Sequence, residues 1–298
     1  MKMIMSTPNR TSISDAKSVI PIREAESHKG DFGRLLTIGG GSSFVGAPVL
    51  VGLAALRSGV DLSIIAAPEK TAWNVNSLSP DLITIKLTCK DLEPSVVPDI
   101  LEILERSNAV VVGPGLGLSP KTRDTIIELA RALRKRYQKH PALFDADAIK
   151  ALASERSLIH GMPWVITPHA GEFKILTGTE LHTDLRERAE QVKVAAKKNG
   201  CVVLLKGQVD IIASATGDIK LNHTGNPGMT VGGTGDVLSG TVGTFLAQGA
   251  KPFEAAVTGA WICGRAGDLC LREKGYEFLA SDVINKLPEV FMEVRRKG

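Results

Sequence analysis

Leu35-Leu-Thr-Ile-Gly39-Gly-Gly-Ser-Ser43 decides the fold of this chain. A short apolar run stops at three glycines, and from about Ala47 to Arg57 small apolar residues return at helical spacing. Strand, glycine turn and helix in that order open a βαβ unit. The same rhythm recurs along the sequence. It predicts strands at Asp61–Ala67, Ile83–Leu87, Ala109–Gly113, Ala142–Phe144, Trp164–Thr167 and Cys201–Lys206. Helices are predicted near Val96–Arg106, Thr122–Tyr137, Gly171–Thr177 and Leu185–Lys198. Val209–Ala213 and Ile219–Leu221, joined by Ala215-Thr-Gly-Asp218, read as a hairpin. Gly235–Gln248, Pro252–Glu273 and Ala280–Arg295 read as the closing helices. Buried strands alternating with helices require a mostly parallel sheet covered on both faces. The expected class is α/β: a three-layer α/β/α sandwich whose hairpin adds antiparallel strands at one edge.

Composition narrows the function. The 298 residues show no linker-like break or internal repeat, so one domain is expected, residues 27–298, behind an N-terminal extension of residues 1–26. The net charge is +4, and the densest basic segment, Arg131 to Lys139, falls on an amphipathic helical pattern without aromatic platforms. It reads as a solvated face, and no nucleic-acid partner is expected. Cys89, Cys201, Cys263 and Cys270 form no C-x-x-C pair, the usage of a reducing compartment; the last two lie seven apart on a helical pattern and can share a core face. Trp73, Trp164 and Trp261 are expected in the core or at an interface. No apolar run reaches the roughly 18 residues that span a bilayer, so no membrane partner is expected. Met1 to Arg10 lacks the apolar core of a signal peptide, which points to a cytoplasmic enzyme with a frayed start.

The chemistry is carried by Asn226-Pro-Gly-Met-Thr-Val-Gly-Gly-Thr-Gly-Asp236, which runs directly into the apolar helix Val237 to Leu246. Backbone amides freed by Gly232, Gly233, Thr234 and Gly235 at a helix start attract anions, a preference of about 0.3–2 kcal/mol for a phosphate. A carboxylate placed inside such a loop opposes anion binding unless it takes a proton. Asp236 therefore reads as the base of a phosphoryl-transfer site. The structural alternative is an ordinary glycine turn with Asp as helix cap. Other unusual residues fall after predicted strands: Gly39–Gly46, Gly113-Pro-Gly-Leu-Gly117, Asp145-Ala-Asp147, Thr167-Pro-His-Ala-Gly-Glu172 and Lys206-Gly-Gln-Val-Asp210. In parallel sheets, ligands bind beyond those strand ends. Each cluster alone is equally readable as a tight turn.

These segments, with Lys29-Gly-Asp-Phe-Gly33, Gly46-Ala-Pro48 and Ala55-Leu-Arg-Ser-Gly59, resemble in order and spacing the NAD(P)H-hydrate dehydratase family, over roughly Ser27 to Leu287. The resemblance implies a ribokinase-like fold and a hydro-lyase of cofactor repair, which dehydrates the S-epimer of NADH or NADPH hydrate. The driving group is a nucleotide phosphoryl, from ADP with release of AMP and phosphate in most bacterial and archaeal members, from ATP in eukaryotic ones. It implies that Ala47, Gly117, His169 and Asp236 meet the hydrated cofactor, while Lys206, Gly207, Gln208, Val209, Asp210 and Gly235 meet the adenine nucleotide. Ala170 stands where the family more often has proline, which bears only on the local turn. Magnesium (Mg2+) is expected, with Glu172 orienting its waters; a dipole-favoured Glu of a first helical turn is the alternative. His169 has its own alternative, a hydrogen-bonded turn histidine, and Asp145 or Asp147 can cap the helix near Ala148. The resemblance further implies a homo-oligomer, a tetramer being the expected size, and a separate NAD(P)H-hydrate epimerase as functional partner, since too few residues precede Lys29 to form one. The rival readings are a ribokinase-like kinase acting on a vitamin-precursor alcohol, and a non-catalytic nucleotide-binding module. The choice between ADP and ATP, and between the two hydrated cofactors, stays open.

Overall fold

The computed structural model describes residues 9 to 296, so most of the start expected to fray, Met1 to Pro8, lies outside the described residues. Its first half contains β1 (Asn9–Arg10), α1 (Ile13–Val19), β2 (Arg34–Ile38), α2 (Gly46–Ser58), β3 (Leu62–Pro68), α3 (Glu69–Leu78), β4 (Ile83–Leu87), α4 (Val97–Leu104), β5 (Ala109–Val112) and α5 (Pro120–Arg136). The second half contains β6 (Ala142–Phe144), α6 (Asp147–Leu152), β7 (Trp164–Ile166), α7 (Ala170–Thr177), α8 (Leu185–Asn199), β8 (Val202–Leu205), β9 (Asp210–Ala213), β10 (Ile219–Asn222), α9 (Thr234–Ala247), α10 (Pro252–Lys274) and α11 (Ala280–Arg296).

The strands form one ten-stranded sheet in the order β1-β10-β9-β8-β7-β6-β5-β2-β3-β4. From β8 to β4 all neighbours are parallel, and β9 runs antiparallel to both β8 and β10. The apolar strands explain the layering, because alternate side chains leave on opposite faces. Leu36, Val110, Val112, Phe144 and Trp164 enter one core with residues of α4 to α8. Leu35, Val111, Leu143 and Val165 enter the other, with residues of α1, α2, α9, α10 and α11. Each such side chain, fully buried, contributes roughly 1.5–3 kcal/mol, and Phe144 packs on Trp164 with ring centroids 4.8 Å apart. The three-layer α/β/α sandwich with antiparallel strands toward one side is therefore the observed architecture.

Chain order reverses between β2 and β5. Strands β2 to β4 step outward in one direction, then the chain returns to place β5 against the other side of β2. Such a switch point opens a crevice at the carboxyl strand ends, where Gly39 and Gly113 follow β2 and β5.

Three elements escape the periodicity. β1 pairs parallel with β10, so the true edge lies one strand beyond the hairpin; its two residues are exposed and polar and leave no hydrophobic pattern. α1 is short, yet Ser12 and Asp15 close a capping box and Ala16 is buried. α3 follows β3 without a break, and buries Thr71, Ala72 and Val75 while leaving Trp73 and Leu78 exposed. Trp164 and Trp261 lie in the core, whereas Trp73 is 58% exposed beneath the Lys86 ammonium. The apolar stripe of α10, including Cys263 and Cys270, is core. Among the described residues, no helix is long and apolar enough to cross a membrane.

Candidate active site

α9 begins where the glycine-rich loop predicted it, and its first amides are open. Gly233 is the N-cap, at φ 98°, and no side chain caps the helix. An L-residue there would be strained, and its Cβ would sit 2.6 Å from Leu50 Cδ1. The Thr234 hydroxyl turns away, donating to the carbonyls of Met229 at 2.7 Å and Val231 at 3.2 Å. The uncapped N–H groups and the positive end of the helix dipole are thus left for an anion. α9 reaches this position because Gly240 lets it press on α2: a Cβ on Gly240 would lie 2.2 Å from the Val51 carbonyl oxygen.

Asp236 occupies the first turn of α9 and is half-buried. Burial, reinforced by the Asp145 carboxylate and opposed by the Lys206 ammonium, pushes its pKa up to about 7. A carboxyl titrating there can accept a proton at neutral pH without being a permanent anion inside an anion site. Lys206 follows β8 and crosses the mouth of the loop; a Cβ on Gly235 would lie 3.5 Å from its Nζ. It donates to Asp145 Oδ1 at 2.7 Å and lies 4.0 Å from Glu172 Oε2. Burial works against its charge, but Asp145, Glu172 and Asp236 outweigh that and raise its pKa, so it stays a cation.

A cavity of about 980 Å³ opens beside this cluster. His169, Lys206, Gly207, Gln208, Val209, Asp210, Gly233, Thr234 and Gly235, all singled out in the sequence, line it. Asn226, Pro227 and Met229 to Val231, from the glycine-rich segment quoted above, line it as well; His223, Ala260, Cys263 and Gly264 were not foreseen as lining residues. Asp210 is fixed by Asn222, whose amide donates to Oδ2 at 3.0 Å, and by the Gly207 N–H at 3.0 Å. Burial raises its pKa to about 6 against those bonds and Lys206. Asn222, buried at the end of β10, left no signal beyond a polar residue closing an apolar strand.

Ala47, Gly117, Asp236, Glu172 and Gly232 are not part of that cavity wall. Asp236 follows Gly235 directly. Ala47 and the Gly113–Gly117 turn form a neighbouring group at the switch point, where a Cβ on Gly115 would lie 3.2 Å from that of Ala47. Gly117 N–H donates to Asp147 Oδ2 at 2.9 Å, so this aspartate binds the glycine turn instead of capping α6.

His169 and Glu172 realise their structural alternatives. The His169 Nδ1 accepts from the N–H groups of Gly171 at 3.0 Å and Glu172 at 3.3 Å, and Glu172 Oε2 accepts from the His169 N–H at 3.0 Å. This capping box closes the amides of α7, in contrast to α9. An accepting Nδ1 puts the ring proton on Nε2, 3.4 Å from Glu172 Oε1. The His169 side chain nevertheless remains 57% exposed and lines the cavity.

Comparison with known proteins gives the family and the fold. The family model for NAD(P)H-hydrate dehydratase matches residues 35–289. The chain is similar to the ADP-dependent (S)-NAD(P)H-hydrate dehydratase of Nitrosopumilus maritimus, at 37% identity over 92% of each chain. It is also similar to the bifunctional NAD(P)H-hydrate repair enzyme of Pyrobaculum aerophilum, at 47% identity over 90% of this chain, and spans about half of that protein, 52%. Among solved structures, the ADP/ATP-dependent NAD(P)H-hydrate dehydratase of Bacillus subtilis, co-crystallised with ATP and Mg2+, superposes with a TM-score of 0.80. The identity is 27%, over 97% of this chain and 99% of that one. The layered sheet is accordingly the ribokinase-like fold. With the family model matched over residues 35–289 on this fold, the chain belongs to the NAD(P)H-hydrate dehydratase family.

Proposed function

We propose that this chain repairs hydrated nicotinamide cofactors, dehydrating the S-epimer of NAD(P)H hydrate with ADP as phosphoryl donor. The observation that carries the reading is the seat of Asp236: a proton-accepting carboxyl between uncapped helix amides and a fixed ammonium. The resemblance to the Nitrosopumilus enzyme favours ADP over ATP.

In this reading the ring hydroxyl of the hydrate attacks the β-phosphorus of ADP while Asp236 takes its proton, and AMP leaves. The hydroxyl is now a phosphate ester. The ring nitrogen lone pair then expels inorganic phosphate, and loss of a ring proton restores the double bond of NAD(P)H. The amides of Gly232 to Gly235 and the Lys206 ammonium face the charge that spreads over the phosphoryl oxygens. The base and sugar of the nucleotide fill the cavity between Lys206–Asp210 and α10. Ala47 and Gly117 approach the hydrated cofactor from the switch-point side, and His169 from the cavity side.

Among the described residues, no three His, Cys, Asp or Glu side chains gather to hold a metal. In this reading Mg2+ would arrive as an ion carried by the nucleotide phosphates and keep most of its waters; Glu172, engaged in the α7 cap, would act on it only through such waters. A cytoplasmic setting with an NAD(P)H-hydrate epimerase activity, which would supply the S-epimer, completes the reading. Self-association is supported by the exposed Trp73, Leu78 and Ile83 of α3 and β4, beside the open sheet edge; the tetramer that the family resemblance implies is tested by light scattering of the purified chain.

The functional test is direct. Hydrated NADH with ADP and Mg2+ should regain the absorbance of NADH and release AMP and phosphate in equal amounts. A stable phosphorylated product indicates a kinase, and no turnover with either ADP or ATP refutes the dehydratase reading.

A further inference from the structure

Two aspartates flank the one described non-glycine residue with positive φ, Ala146, at φ 50° and ψ −119°. Backbone held in so sparsely populated a region needs its surroundings to fix it. Here the turn sends two carboxylates in opposite directions. Asp147 goes to the Gly117 amide and to Lys150 Nζ at 3.0 Å. Asp145 is buried and doubly anchored: Lys206 donates to Oδ1 at 2.7 Å and the Ser239 hydroxyl to Oδ2 at 2.8 Å. Ser239 stands three residues after Asp236 on α9, the spacing that puts two side chains on neighbouring surface of one helix.

We propose that Asp145 is a positioning residue of the phosphoryl-transfer site: clamped to α9 by Ser239, it tethers Lys206 across the nucleotide loop and holds a negative charge against Asp236. This rests on the reading of Asp236 as the base. The arrangement resolves a conflict. Lys206 free to approach Asp236 would pair with it and make it a weak base; Lys206 held by Asp145 stays at the loop mouth, where a phosphoryl group needs a cation. Asp145 also repels the ionised form of Asp236, the same direction in which burial moves it.

Other charged groups are placed differently. α2, packed along α9, carries its one charge, Arg57, in its last turn. On α10 and α11, Arg265 pairs with Glu293 at 2.9 Å and Lys274 with Asp282 at 2.6 Å. Glu172 on α7 lies against Lys206, and Asp210, which titrates near 6 and feels the same ammonium, is held by Asn222 and the Gly207 amide.

The test is a carboxylate titration by ¹³C NMR on aspartate-labelled protein, with the Asp236 signal identified by its loss in Asp236→Asn. Asp145→Asn keeps the side-chain shape and removes the charge, and should move the Asp236 midpoint down by about one pH unit or more. The acid limb of kcat/KM should move with it. Ser239→Ala is the milder variant, removing one hydroxyl and leaving every charge. It unclamps Asp145 from α9, which weakens the repulsion Asp145 exerts on Asp236, and should move the midpoint in the same direction by less. A variant that only loosens the structure hydrates Asp236 and lowers the midpoint together with Tm, so the electrostatic effect is the shift that appears in Ser239→Ala with Tm unchanged. An unmoved midpoint in Ser239→Ala and in Asp145→Asn, or in Ser239→Ala alone if Asp145→Asn does not fold, overturns the proposal. The titration needs no turnover, so a chain that never forms NAD(P)H refutes the functional reading and leaves this result standing.

Discussion

Asp236→Asn should make the protein more stable at alkaline pH while disabling it. The folded-state pKa of about 7 stands above the ordinary 3.8, a difference of about 3 units. At 1.36 kcal/mol per unit, the ceiling is about 4 kcal/mol. Asp236 retains some solvent contact and its neighbours can relax, so roughly 1–3 kcal/mol is the expected size. The sign follows from the raised pKa. The carboxyl costs no stability below its unfolded pKa of 3.8, where it is protonated in both states. As pH rises the unfolded chain ionises first, and the penalty grows until it is complete above about 7. A permanently neutral amide avoids that penalty. The variant should therefore match the wild type near pH 4 and exceed it at pH 8. For a chain of 298 residues, at roughly 2 °C per kcal/mol, the gain is about 2–6 °C in Tm. The assay is thermal unfolding from pH 4 to 9 in buffers without phosphate, since an anion in the loop would shift the balance. Turnover of hydrated cofactor should fall about 10²–10⁴-fold. A Tm difference that stays flat across this range, or a variant less stable at pH 8, refutes the claim that a desolvated carboxylate faces the loop.

Other expectations follow from neighbouring geometry. In the wild type, kcat/KM should climb as pH rises through about 7 and then level, because Asp236 must be ionised in the free enzyme to act; a profile flat between pH 5 and 8 contradicts this. Gly232→Val should leave Tm unchanged, because a Cβ there meets nothing within 4 Å, and should weaken ADP binding at least tenfold if the Gly232 amide meets the phosphate; unaltered affinity by calorimetry removes Gly232 from the loop's function. Gly233→Val should instead lower Tm, given its φ of 98° and the closeness of Leu50. His169→Ala should cost about 1 kcal/mol through loss of the α7 cap, and His169→Ser should restore Tm. If KM for the hydrated cofactor is normal in the serine variant, the imidazole has no contact with substrate.

Relatives covering about twice this chain's length couple it to further sequence, yet the layered sheet, both cores and the α9 site all lie within the described residues. The close packing of α2 on α9, through Gly240, joins the two halves of the site. Leu50 on α2 supports Gly233, and Ala47 at the start of the same helix packs beside Gly115 of the glycine turn after β5.

By itself, the sequence determined the alternating strands and helices, the glycine-rich entry to α9 and the placing of Asp236 in its first turn. Those are local matters: hydrophobic period, turn chemistry and the order of residues along one helix. It also named the cavity's near wall, because Lys206 to Asp210 directly follow a strand. Tertiary structure alone decided which helix start remains open. His169 and Glu172 close α7 with their own side chains, while Thr234 turns from the amides of α9, and only coordinates separate these outcomes. It likewise decided that Asp145, 91 positions before Asp236 in sequence, shares Lys206 with it. Electrostatic coupling of that kind depends on distance through a folded interior, which no spacing along the chain records.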